Sequence, residues 1–134
     1  MMSSLINIKC TIEKMYHEHE WIGLSIDLSH VIEEGISAID ALLEQKISRF
    51  DLIDSASGCY ITVSVGDAAW NCANNDFFLV FSEGQLRVLR DLMLDVFSKK
   101  GFDGYHGDFE LVNEGRELDV CFLLQHGVTQ YNKD

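Results

Sequence analysis

An α+β fold is predicted for the 134-residue chain by three observations. Several short segments alternate apolar and polar residues with period two, the signature of half-buried strands. Two longer segments repeat apolar residues at steps of three and four, as amphipathic helices do. The connections between them are short, which favours neighbouring antiparallel strands. The expected order is ββαββαββ: a mostly antiparallel sheet of about six strands with two helices packed on it, in a single domain spanning 1–134.

The first strand is expected where Ile6, Ile8, Cys10 and Ile12 alternate with Asn7, Lys9 and Thr11. Ile22, Leu24, Ile26 and Leu28 repeat the pattern, with 17–20 as the hairpin connection. Across 30–54 the residues Ile32, Ile36, Ile39, Leu43, Ile47, Phe50 and Ile53 form one helical stripe. Ser29 is the expected N-cap, and Glu33 and Glu34 favour the positive end of the helix dipole. Cys59, Ile61, Val63 and Val65 then read as a strand closed by Gly66 and Asp67. Phe77–Phe81 is a short strand apolar on both sides.

The second helix has the clearest punctuation. Ser82-Glu83-Gly84-Gln85 fits a capping box, and Leu86, Leu89, Met93, Val96 and Phe97 form its buried stripe. Lys99 and Lys100 suit its C-terminal dipole, and Gly101 suits a left-handed C′ position. Residues 105–112 and 117–126 form a closing pair across Asn113-Glu114-Gly115, a turn signal. The run Cys121–Leu124 is continuously apolar, which predicts burial on both faces and a central place in the sheet.

Composition narrows the function. Acidic residues number 22 against 10 basic ones, for a net charge of -12. Such a field repels polyanions, which argues against direct nucleic-acid binding and favours a basic partner. With 47% apolar residues and no proline, the chain has the material for one core and no evident linker. No apolar run approaches the ~18 residues of a membrane span. Asn7 and Lys9 interrupt the N-terminal apolar stretch, unlike a signal peptide. The four cysteines form no C-x-x-C pair, so a reduced, cytoplasmic protein is expected.

No reaction motif is present: there is no nucleophile elbow, P-loop or dinucleotide fingerprint. His17 and His19 would share one side of a strand, but no ligand spacing joins them to His30, His106 or His126, and no metal site is predicted. Asp103, Asp108 and Glu110 lack the calcium-loop spacing. Cys10, Cys59 and Cys121 read as buried thiols. Cys72, in the 70–76 loop, has no positive charge nearby in sequence to activate it. Neither a cofactor nor a catalytic residue is expected.

What remains is surface. The 66–76 segment sets small and amide side chains around Trp70, and 101–108 mixes aromatics, glycines and carboxylates. An aromatic anchor ringed by carboxylates suits a basic protein partner, because the ring supplies desolvated area and the charges steer encounter. The expected partner-binding residues are Asp67, Trp70, Asn74, Asp76, Asp103, Tyr105, Asp108 and Glu110.

In size, acidity and element order the chain resembles the immunity proteins of bacterial polymorphic-toxin and contact-dependent growth-inhibition systems. The resemblance implies a binding protein that neutralises one cognate basic toxin domain, such as a nuclease, by covering or distorting its active site. Two alternatives stay open. One is an enzyme or small-ligand protein with a pocket between sheet and helices, using His106, His126 or Glu110. The other is a homodimeric adaptor pairing through 77–81. Monomer and homodimer are both compatible with the sequence.

Overall fold

The computed structural model describes residues 5–16, 20–98 and 105–124. Its elements are β1 (Leu5–Asn7), β2 (Lys9–Tyr16), β3 (Glu20–Asp27), α1 (Ile32–Leu43), β4 (Phe50–Asp54), β5 (Cys59–Val65), β6 (Ala69–Ala73), β7 (Asp76–Phe81), α2 (Glu83–Ser98), β8 (Tyr105–Asn113) and β9 (Arg116–Leu124). The α+β class holds. The sheet, however, has nine strands, in the order β1-β4-β5-β7-β6-β8-β9-β3-β2.

It is mixed rather than mostly antiparallel. Antiparallel pairs β4–β5, β6–β7, β8–β9 and β2–β3 stand side by side, and each meets the next through a parallel pairing. β1 adds a further parallel pairing to β4. The two ends of this order are consecutive in the chain, separated only by Ile8. The sheet therefore curls until one N-terminal segment serves both ends. Ile8 N–H donates to the Ile53 carbonyl at 2.9 Å, and Cys10 N–H donates to Asp54 Oδ2 at 2.9 Å.

Strand alternation directs one residue set inward. Leu24, Ile26, Leu52, Ile61, Val63, Leu79, Phe81, Leu118, Val120, Phe122 and Leu124 join Ile39, Leu42, Leu86, Leu89, Met93 and Val96 of the helices in one core. α1 and α2 meet where Gly35 leaves room: a Cβ there would stand 2.5 Å from Met93 Cε. The opposite face of the sheet is turned to solvent.

Three departures account for the extra strands. The expected 6–12 strand is two strands divided at Ile8, which leaves Ile12 exposed. The expected 30–54 helix ends at Leu43, and Gln45 takes a left-handed φ of 63°. The chain then re-forms as β4, where Phe50, Leu52 and Asp54 are buried with period two; Phe50 and Ile53 match the helical spacing by coincidence. The segment read as a loop at 69–73 is β6, held between β7 and β8 by backbone pairing rather than by strand propensity.

Helix boundaries are mixed in outcome. The N-cap position of α1 is Val31, without a side-chain cap bond, rather than Ser29. The α2 capping box is complete: Gln85 N–H donates to Ser82 Oγ at 3.1 Å, and Ser82 N–H donates to Gln85 Oε1 at 2.9 Å. Phe97 is 46% exposed and does not join the buried stripe. Lys99, Lys100 and Gly101 lie outside the described residues, as does the expected connection at 17–19. β9 is central, yet Cys121 is only half-buried and Leu123 is exposed, so it is covered on one face only. Phe78 is likewise exposed on β7. No described helix is long and apolar enough to cross a membrane.

Candidate functional site on the outer face

The β8–β9 turn sets the geometry of the site. Glu114 (φ 52°) and Gly115 (φ 84°) are both left-handed, the conformation of a two-residue type I′ hairpin turn. That turn pairs Asn113 with Arg116 and, counting outward, Glu110 with Asp119 and Asp108 with Cys121. Alternation sends Leu111, Leu118, Val120 and Phe122 inward. His106, Asp108, Glu110, Glu117, Asp119 and Cys121 therefore share the outer face. On the other side of β9, β3 pairs Gly23 with Asp119 and Ser25 with Cys121.

Gly23 has no side chain to fill that face, and a groove of about 550 Å³ opens over it. Its walls are Ser25, Asp108, Phe109, Glu110, Asp119 and Cys121. The floor is stiff. Phe109 and Phe122 pack edge-on or tilted against Phe81 beneath it, at centroid separations of 5.8 to 6.0 Å. Gly107 faces inward between His106 and Asp108, where a Cβ would meet Leu92 Cδ1 of α2 at 3.1 Å. Gln85 of the α2 capping box donates through Nε2 to the Glu110 carbonyl at 3.2 Å, tying the helix start to β8.

Like charges meet at Glu110 and Glu117. The negative charge of Glu117, and a hydrogen bond with it, raise the exposed Glu110 carboxyl above its ordinary pKa; slight desolvation and Asp119 add to the effect. Like charges placed across neighbouring strands are destabilising. The ion pairs Lys46–Glu44, Arg87–Glu83 and Arg90–Asp40 lie at the helices. Beside the carboxylate cluster, His106 Nδ1 stands 3.1 Å from Asp108 Oδ2. Burial and then Asp108 push the Cys121 thiol up to about 11.

The sequence-predicted residues separate into distinct places. Asp108 and Glu110 line the groove. Asp67 is exposed in the β5–β6 connection, at the end of the sheet where Val112 N–H donates to the Ala68 carbonyl. Asn74 (φ 59°) and Asp76 lie at the far end of β6, a strand length or roughly 16 Å away. Tyr105 begins β8, but its side chain is not among those described, and Asp103 lies outside the described residues.

Trp70 is no surface anchor. It is 3% exposed, its Nε1–H donates to the Arg116 carbonyl at 3.1 Å, and the Arg116 guanidinium sits 5.1 Å from the ring centroid. Glu117, Asp119 and Cys121 were not among the expected residues, although the Asn113-Glu114-Gly115 turn carries the signal that finds them. Once the hairpin turn is fixed at two residues, the register follows.

The other expected features also have definite places. Between sheet and helices the described residues leave two spaces: an open groove of about 560 Å³ where Leu5 and Ile6 of β1 face Glu33, Glu34, Ser37, Ala38 and Ala41 of α1, and a buried apolar cavity of about 10 Å³ lined by residues such as Ile39, Phe81 and Phe122. The buried cavity is too small for a substrate-sized ligand. His126 lies outside the described residues. β7 is paired on both sides, by β5 and β6, which leaves no free edge at 77–81 for a dimer. Cys59 is buried, Cys10 is half-buried beside it, and Cys72 is exposed. No protein-family model matches the chain, and no curated protein matches it either.

Proposed function

We propose that the chain is an immunity-type inhibitor that binds one cognate basic toxin domain through the outer face of β8, β9 and β3. The observation that carries this reading is the carboxylate cluster of Glu110, Glu117 and Asp119 beside an open groove on a stiff sheet. The like-charge contact of Glu110 and Glu117 is relieved when Lys or Arg side chains of a partner enter the groove. The net charge of -12 steers such a partner from a distance. Enzymes that grip phosphates present the complementary cations, so a toxic nuclease domain fits the required chemistry. Inhibition is stoichiometric, with carboxylates occupying the cationic site, and takes place in the reducing cytoplasm.

The test is capture from the producing cell at low salt, followed by a salt gradient. The reading expects a single basic polypeptide, bound one to one, that arrests growth when expressed alone and is silent with this chain. The triple variant Glu110→Gln, Glu117→Gln, Asp119→Asn should release it at lower salt. Capture of no such polypeptide, or capture indifferent to the triple variant, removes the assignment.

A further inference from the structure

We propose that His106, Asp108 and Cys121 form a binding site for a borderline divalent transition metal, with Zn²⁺ as its natural occupant. The assignment rests on the placement of three donors of different chemistry. A ring nitrogen of His106, a carboxylate oxygen of Asp108 and Cys121 Sγ all lie within 4.8 Å of one another. Tetrahedral zinc, with bonds of about 2.0 to 2.3 Å, spaces its ligand atoms about 3.5 Å apart. His106 and Asp108 already stand at about that spacing, 3.1 Å apart.

The scaffold holds the donors without help from a loop. His106 and Asp108 are two residues apart on β8, so they share a face, and Cys121 is the direct cross-strand partner of Asp108. Imidazole, thiolate and carboxylate together select Zn²⁺ over the hard cations Ca²⁺ and Mg²⁺, which take oxygen ligands. Three protein ligands leave one tetrahedral position open. Asp108 and Cys121 also wall the groove, so that position is available to water or to a donor from a bound molecule. Binding replaces the Cys121 S–H bond with an S–Zn bond, and the proton leaves to solvent. This site stands independently of the basic partner, since zinc uptake needs no second protein.

Zn²⁺ alone, titrated into the full chain by calorimetry, should bind with one-to-one stoichiometry. Co²⁺ in its place should show a thiolate-to-metal charge-transfer band and the visible absorption of a tetrahedral centre. His106→Ala, Asp108→Asn and Cys121→Ser should each weaken zinc by roughly a hundredfold or more, at or beyond the upper end of what the loss of an outer-shell partner costs. His106 is exposed, so its variant reports on the site even if Cys121→Ser fails to fold. Cys72→Ser and the pair His17→Ala, His19→Ala should leave the affinity unchanged. The site is overturned by the absence of stoichiometric uptake. It is equally overturned if the trio variants bind as tightly as the parent, or if the thiolate band disappears with Cys72→Ser.

Discussion

Asp54 and Cys10 join the two ends of the sheet. The Asp54 carboxylate accepts the Cys10 N–H at 2.9 Å, where a strand backbone would otherwise continue the ladder. Its other oxygen accepts the amides of Ala56 and Ser57 in the turn that follows. Asp54 is the one charged side chain among the buried described residues.

The Cys10 amide, and then the turn amides, hold the Asp54 carboxyl below the ordinary aspartate pKa, against the opposing effect of burial. A carboxyl depressed on folding contributes stability that is complete above its unfolded pKa, about 4, and is lost as pH falls through the lower folded value. Asp54→Asn should therefore be less stable than the parent at neutral pH. The difference should shrink as pH drops below about 4. Urea unfolding at a series of acidic pH values measures this; a constant difference would contradict it.

Trp70 is structural rather than exposed for recognition, and its substitution should act on stability. Trp70→Ala should cost about 3–5 kcal/mol through lost burial and the cavity it leaves. Trp70→Phe should cost less, about 1–2 kcal/mol, chiefly for the hydrogen bond to Arg116. Equilibrium denaturation separates the two, and a Trp70→Ala protein of parental stability would show that the ring is not packed as described.

The α2 capping box predicts a smaller effect. Ser82→Ala should cost about 1 kcal/mol, since it removes the acceptor of the Gln85 amide. Gln85→Ala removes both the return bond to Ser82 and the bond to the Glu110 carbonyl, so hydrogen exchange should quicken at β8 as well as at the helix start. Protection unchanged in β8 would mean that the helix start does not restrain that strand.

Removing one acid should stabilise the free protein while weakening its proposed activity. Glu117→Gln deletes the main charge that raises the Glu110 carboxyl, so the Glu110 pKa should fall toward the ordinary glutamate value. Carbon-detected NMR titration reads that shift directly. The melting temperature should rise or hold. Partner association should slow severalfold at low salt, within the range that steering spans. A Glu110 titration identical to the parent would separate the two side chains.

Much of the fold was legible because local patterns agreed with burial. The Ser82–Gln85 cap, the Cys59–Val65 strand and the Asn113–Gly115 turn each have a short-range cause, and all three appear in the structure. The errors arose where tertiary pairing overrode local pattern. Phe50 and Ile53 extend the helical stripe of α1, yet Phe50 pairs with Val63 in a strand. The small side chains of β6 have little intrinsic strand preference, and only neighbours on both sides make that segment extended. Ile8 gives no local sign that the chain there passes from one end of the sheet to the other.

The site was legible in part for the same reason. Asp108 and Glu110 stood out by composition, but Glu117, Asp119 and Cys121 join them through register, which composition does not carry. Trp70 was misplaced because an isolated tryptophan among amides looks alike whether its ring faces solvent or core. Its indole N–H finds its acceptor in the Arg116 carbonyl, 46 residues away.

The central claim, that the Glu110–Glu117–Asp119 face captures a basic partner, is tested most directly by association kinetics. The basic polypeptide captured from the producing cell would be mixed with parent chain and with the Glu110→Gln, Glu117→Gln, Asp119→Asn triple variant across a range of salt. The account predicts a parent association rate that falls steeply with salt, and a triple variant about tenfold slower at low salt that converges on the parent at high salt. Parent and variant associating at the same rate at low salt would contradict it and place the binding surface elsewhere on the molecule.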